Sequence, residues 1–100
     1  MNECKCECCR KKHRTEEERR RLANRLSRVE GQVRGIRAML DSDTYCTDIL
    51  TQVSAAQSAL ASFSKELLAE HIKTCVADGI RGGDEAIVDE LVETVRRMTR

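Results

Sequence analysis

LANRLSRVEGQVRGIRAML, residues 22–40, is the stretch that decides the fold. Its apolar residues Leu22, Leu26, Val29, Val33, Ile36 and Leu40 recur at steps of four and three, the spacing that lays a narrow apolar seam along one face of a helix. Arg19, Arg20, Arg21, Arg25, Arg28, Arg34 and Arg37 fall on the other faces. Thr15 followed three residues later by Glu18 makes a capping box, in which each side chain takes a backbone N–H left unpaired by the helix start, so helix one is predicted to begin there. Gly31 and Gly35 would each cost about 1 kcal/mol against Ala inside a helix, which predicts close backbone approach by a neighbour.

Working outward, "DSDT" at 41–44 closes this helix and offers Asp43 or Thr44 as the cap of the next. Ile49, Val53, Ala56, Leu60, Phe63 and Leu67 continue the pattern as far as Ile72 and Val76, which predicts a longer second helix. Gly79, Gly82 and Gly83 supply turn positions, and Asp84 is predicted to cap a third, shorter helix with Ile87, Val88, Leu91, Val92, Val95 and Met98 on its buried side. Residues 1–14 lack apolar periodicity and are read as a mobile, cysteine-rich and basic tail; residues 15–100 form the helical domain.

Composition agrees with an all-α chain. There is no Pro to interrupt a backbone ladder, and one Phe, one Tyr and no Trp among 100 residues leave little bulk for a self-sufficient core, so help from an oligomer is expected. No apolar run is long enough to span a bilayer and no signal-peptide pattern opens the chain, which predicts a cytoplasmic protein with no membrane partner. Six cysteines would suit a disulfide framework, but four crowd into "CKCECC" and two lie far apart, a distribution that favours metal thiolates in a reducing compartment. The formal charge of +1 conceals an asymmetry: residues 10–37 hold eleven Lys/Arg against four Asp/Glu, and residues 38–100 hold six against eleven.

In "HIKTC", residues 71–75, His71 and Cys75 are i and i+4 and stand on one helix face, able to share a metal. Extending the seam of helix two backwards reaches Cys46. It lies 25 residues before His71, about 37 Å along a continuous helix, far beyond ligand bonds of about 2.0–2.3 Å. An antiparallel pairing of helix two with its copy in a second chain would set Cys46 of one subunit beside His71 and Cys75 of the other, giving two equivalent sites per two-fold dimer. Two thiolates and one imidazole favour Cu(I); Zn(II), which wants a fourth ligand, is the second choice. Taken alone, Cys46 would read as a small buried hydrophobe; the alignment of all three on one seam favours ligation.

"NRLSRVEGQVRGIRAMLDSDTYCTDILTQVSAAQSAL" followed by "LLAEHIKTCVADGI" closely resembles the copper-sensitive operon repressor (CsoR-like) family, from about residue 17 to the C-terminus. The most specific part is the ligand set, Cys then His-x3-Cys, reproduced by Cys46, His71 and Cys75. The resemblance implies a three-helix subunit, an antiparallel four-helix-bundle dimer and a dimer of dimers. It further implies a homotetrameric repressor whose metal-free form binds operator DNA and is released by Cu(I), derepressing copper-resistance genes. Tyr45 and Glu90 match residues that would hydrogen-bond the non-ligating nitrogen of His71, although the loop before Glu90 differs in length by one residue and an ordinary solvated helix acid is an equal reading.

No helix-turn-helix is visible, so DNA contact falls to the basic faces of helix one. Arg25 matches a family arginine implicated in that contact; Arg19, Arg20, Arg21 and Arg28 lie close by, and Lys65 could substitute for the basic residue that some relatives place where Ser62 stands. Such a surface neutralises phosphates and reads DNA shape, unless it is only a solubilising face. Cys4, Cys6, Cys8 and Cys9 are candidate accessory ligands for soft metals. The competing readings are a Cu(I)/Zn(II) store or chaperone and a relative sensing another inducer. An enzyme is not expected, since no activated nucleophile, phosphate loop or open hard-metal site is present.

Overall fold

A computed structural model describes residues 14–99. It is helical: α1 spans Glu16–Asp41, α2 spans Cys46–His71, a π-helical turn follows directly over Ile72–Val76, α3 covers Ala77–Arg81 and α4 covers Ala86–Met98. The second predicted helix is therefore α2, the π turn and α3 in succession, and the third is α4. The chain divides into two compact units, one of residues 14–67 and another whose described part is residues 68–99.

In the first unit α1 begins as predicted. Thr15 Oγ1 accepts from Glu18 N–H and Glu18 Oε1 accepts from Thr15 N–H, both at 3.1 Å. Glu16, Glu17 and Glu18 put negative charge beside the positive end of the helix dipole. The other end corrects the sequence reading. Asp43 does not cap α2; it takes a left-handed conformation, φ 56°, just past the end of α1. Thr44 N–H reaches Met39 C=O and Asp43 N–H reaches Leu40 C=O, the paired bonds of a Schellman ending. Tyr45 C=O instead receives the N–H groups of Asp48 and Ile49 at the start of α2.

The seam of α1 splits in two. Leu22 is buried and Val29 and Ile36 are half-buried, whereas Leu26, Val33 and Leu40 are exposed. Each trio repeats every seven residues, so one side of the stripe is covered and the other lies open. The close approach expected at Gly31 and Gly35 is absent: a Cβ built at either meets nothing within 4 Å, because that face of α1 is uncovered among the described residues.

In the second unit the core is Cys75, Val76 and Ile87. Gly79 carries the close approach instead; a Cβ there would lie 2.8 Å from Ile87 Cδ1 and 2.9 Å from its Cγ2. Gly83, φ 84°, ends α3 in a second Schellman motif, with Asp84 N–H on Gly79 C=O and Gly83 N–H on Ile80 C=O. The N-cap of α4 is Glu85, which makes no side-chain cap bond; the predicted cap, Asp84, stands one residue earlier, where its Oδ1 accepts from Ala86 N–H at 3.1 Å and closes the turn into the helix. The buried side expected of α4 is narrower than its apolar pattern: Ile87 is buried and Leu91 half-buried, but Val88, Val92, Val95 and Met98 are exposed. A short helix docked on one neighbour covers one edge of its stripe and leaves the rest open.

Candidate metal centre and basic surface

The three predicted ligands occupy distinct positions. Cys46 is the first residue of α2 and exposed; His71 is the last residue of α2 and half-buried; Cys75 is buried inside the π turn, and neither cysteine is in a disulfide. Among the described residues of one chain, no three His, Cys, Asp or Glu side chains gather in a group that could hold a metal ion. The donors themselves suit a soft cation, since thiolate sulfur and imidazole nitrogen are what such ions take in preference to carboxylate oxygen.

Sequence reasoning missed the π turn between His71 and Cys75. In it backbone bonds span five residues, as in Ala77 N–H to Ile72 C=O, so the chain from His71 to Cys75 is wound more widely than in an α-helix. Within it Thr74 Oγ1 donates to Glu70 C=O at 2.8 Å, the same i to i−4 bond that Thr51 and Thr94 make inside regular α-helix. The same hydroxyl lies 3.8 Å from Cys75 Sγ. No residue of the stretch marks the turn in the sequence.

Tyr45, 73 % exposed, precedes Cys46 at the edge of α2. Glu90 lies on α4, where its carbonyl accepts from Thr94 Oγ1 at 2.9 Å. Among the described residues the His71 ring has no hydrogen-bond partner. Cys4, Cys6, Cys8 and Cys9 lie outside the described residues.

The basic face is borne by α1. Arg19, Arg20, Arg21 and Arg28 are exposed and Arg25 is half-buried, while Lys65 is exposed on α2. Arg19 pairs with Glu16 at 4.0 Å along its own helix. Glu66, which the sequence did not single out, reaches two arginines of α1 at once: Arg21 Nε at 3.5 Å and Arg25 Nη2 at 3.9 Å. These contacts place the start of α1 beside the later part of α2, as in an antiparallel helical hairpin.

Comparison with known proteins gives consistent results. The family described as metal-sensitive transcriptional repressor matches residues 18–97. The copper-sensing transcriptional repressor CsoR of Bacillus subtilis is 44 % identical over 89 residues, covering 88 % of each chain. The crystal structure of the copper-sensing repressor CsoR with Cu(I) from Geobacillus thermodenitrificans superposes with a TM-score of 0.85 at 41 % identity, over 90 % of this chain and 95 % of that one. The nickel-responsive transcriptional regulator InrS gives a TM-score of 0.68 at 34 % identity, over 78 % of this chain and 89 % of that one.

Proposed function

This chain belongs to the metal-sensitive transcriptional repressor family, and on that premise we propose that it is a Cu(I)-responsive repressor whose metal-free form binds operator DNA and is released by Cu(I). The family is one of transcriptional repressors rather than enzymes, and no enzymatic role is assigned. The observation that carries the copper reading is the position of the donors, with Cys46 at the first residue of α2, His71 at its last and Cys75 in the turn that follows. A helix of 26 residues is about 39 Å long, so a shared site needs Cys46 from one subunit and His71 with Cys75 from another. Two thiolates and one imidazole satisfy Cu(I) without a fourth ligand.

The exposed Leu26, Val33, Leu40, Leu50 and Leu60 support an assembly, since large apolar side chains recurring along a helix are surface that neighbours cover. The assembly we assign is a dimer with two equivalent sites, paired into a tetramer. Tyr45 and Glu90 are assigned to orient His71 through its second ring nitrogen. Residues 15–100 form the sensing and DNA-binding domain, with residues 1–14 an accessory soft-metal segment through Cys4, Cys6, Cys8 and Cys9. No described helix is long and apolar enough to cross a membrane, and the cytoplasm, where DNA lies, is the compartment assigned.

Arg19, Arg20, Arg21, Arg25, Arg28 and Lys65 supply the DNA contacts in this reading, by neutralising phosphates and releasing counterions. DNA and Cu(I) are linked through one oligomer. If the metal weakens DNA binding by some factor, DNA weakens metal binding by the same factor. Fluorescence anisotropy of the metal-free protein on DNA upstream of its own gene, anaerobic and at fixed salt, tests this when Cu(I) is titrated in. Release near one Cu(I) per subunit is expected. DNA binding indifferent to Cu(I) would replace copper with another inducer, and the similarity to a nickel-responsive regulator makes Ni(II) the next ion to titrate.

A further inference from the structure

Glu66 is the one acid among the described residues that pairs with the arginines assigned to DNA across two helices. Each of its carboxylate oxygens faces a different guanidinium, Oε2 toward Arg21 Nε and Oε1 toward Arg25 Nη2. Arg21 and Arg25 are i and i+4 on α1 and stand on one face, where two cations repel each other. A carboxylate between them does what a DNA phosphate would do: it offers two oxygens sharing one negative charge. The separations, 3.5 and 3.9 Å, exceed the 2.7–2.9 Å of a tight charge-assisted hydrogen bond, and the three side chains are 35, 51 and 42 % exposed. The pairing is loose, wet and open to exchange.

Resting on the DNA-binding reading above, we infer that Glu66 is an internal competitor of the phosphate backbone, which holds Arg21 and Arg25 until DNA displaces it and so keeps the repressor's affinity below what its basic face alone would give. Arg20, Arg28 and Lys65 form no ion pair among the described residues, so they make the first, unopposed contacts. Arg21 and Arg25 engage only by giving up Glu66, which is left as an unpaired anion beside the DNA. A weaker repressor is easier for an effector to release, since less coupling between the two ligands is needed to empty the operator.

The test is the DNA affinity of the full-length, metal-free protein as a function of salt, for wild type, Glu66→Gln, the Arg21→Ala/Arg25→Ala pair and the triple variant. Glutamine keeps the shape and removes the charge. Glu66→Gln is expected to tighten binding about three- to tenfold at moderate salt and to steepen the slope of log K against log salt by about one, because no displaced carboxylate is left to take up a salt cation when DNA binds. Most of that gain should vanish in the background lacking both arginines. A carboxylate that only fastens α1 to α2 would lower the unfolding midpoint on substitution and leave the salt slope alone, and that result overturns the inference. So does an equal gain with and without the arginines, which would mean bulk charge alone. If the arginine pair variant loses affinity while Glu66→Gln changes nothing, the inference fails and the DNA surface stands; if the pair variant binds like wild type, both fail.

Discussion

Replacing Gly79 by alanine tests how the C-terminal unit is held together. In an exposed helix this change stabilises by about 1 kcal/mol, because glycine gives up more backbone freedom on folding. At this position the new Cβ would meet Ile87 Cδ1 at 2.8 Å, Cγ2 at 2.9 Å and Cβ at 3.4 Å. Cδ1 can swing aside, but Cγ2 is fixed by the stiff χ1 of a β-branched side chain, so α4 must shift. Overpacking of this kind costs about 1–3 kcal/mol, which outweighs the propensity gain and leaves a net loss of up to about 2 kcal/mol. Ile87→Ala removes both offending methyl carbons, and in that background Gly79→Ala should stabilise by up to about 1 kcal/mol. The assay is urea unfolding of the four metal-free proteins at one fixed concentration, read as a double-mutant cycle. A coupling of about 1–3 kcal/mol is expected; Gly79→Ala stabilising equally with and without Ile87 would refute the close-packing argument. Because Cys75 is buried in the same small core, Gly79→Ala should also weaken Cu(I) binding.

Asp43→Gly should raise stability by up to about 1 kcal/mol, since glycine accepts φ 56° without the clash that a Cβ brings, and a rise in thermal midpoint checks it. His71→Ala is expected to retain some Cu(I) through Cys46 and Cys75 yet lose much of the metal-driven release from DNA; release at the copper concentrations that suffice for wild type would count against the assigned role. Val33→Asp, placed at an exposed seam position, should shift sedimentation toward smaller species and lose helical circular dichroism in parallel, most of all at low protein concentration.

Features that rest on short-range chemistry were legible in the sequence. Thr15 and Glu18 announce a helix start because their reciprocal bonds need only a spacing of three, whereas Asp84 marks the turn into α4 one residue ahead of its N-cap, Glu85. His71 and Cys75 stand out as a proposed metal pair because such a pair asks of the sequence only a spacing of four. Asp43 was misplaced because the residue that tolerates a left-handed helix ending is also the residue that caps the next helix. The π turn was invisible because one widened turn leaves an apolar pattern nearly intact. Glu66 was missed because ion pairs between helices depend on the register of packing, which one strand of text does not specify. The buried side of α4 was read too wide because periodicity marks surface that wants cover without saying whether this chain provides it.

That last point extends to the open half of the α1 seam. A stripe formed by Leu26, Val33 and Leu40 that no described residue of its own chain covers makes folding and association a single equilibrium in the proposed assembly, so dilution acts as a denaturant. The folded population then depends on how many copies a cell holds as well as on temperature. Stability measured at micromolar concentrations will overstate that of the same protein at a few molecules per cell, and an unfolding curve is interpretable only with its protein concentration attached.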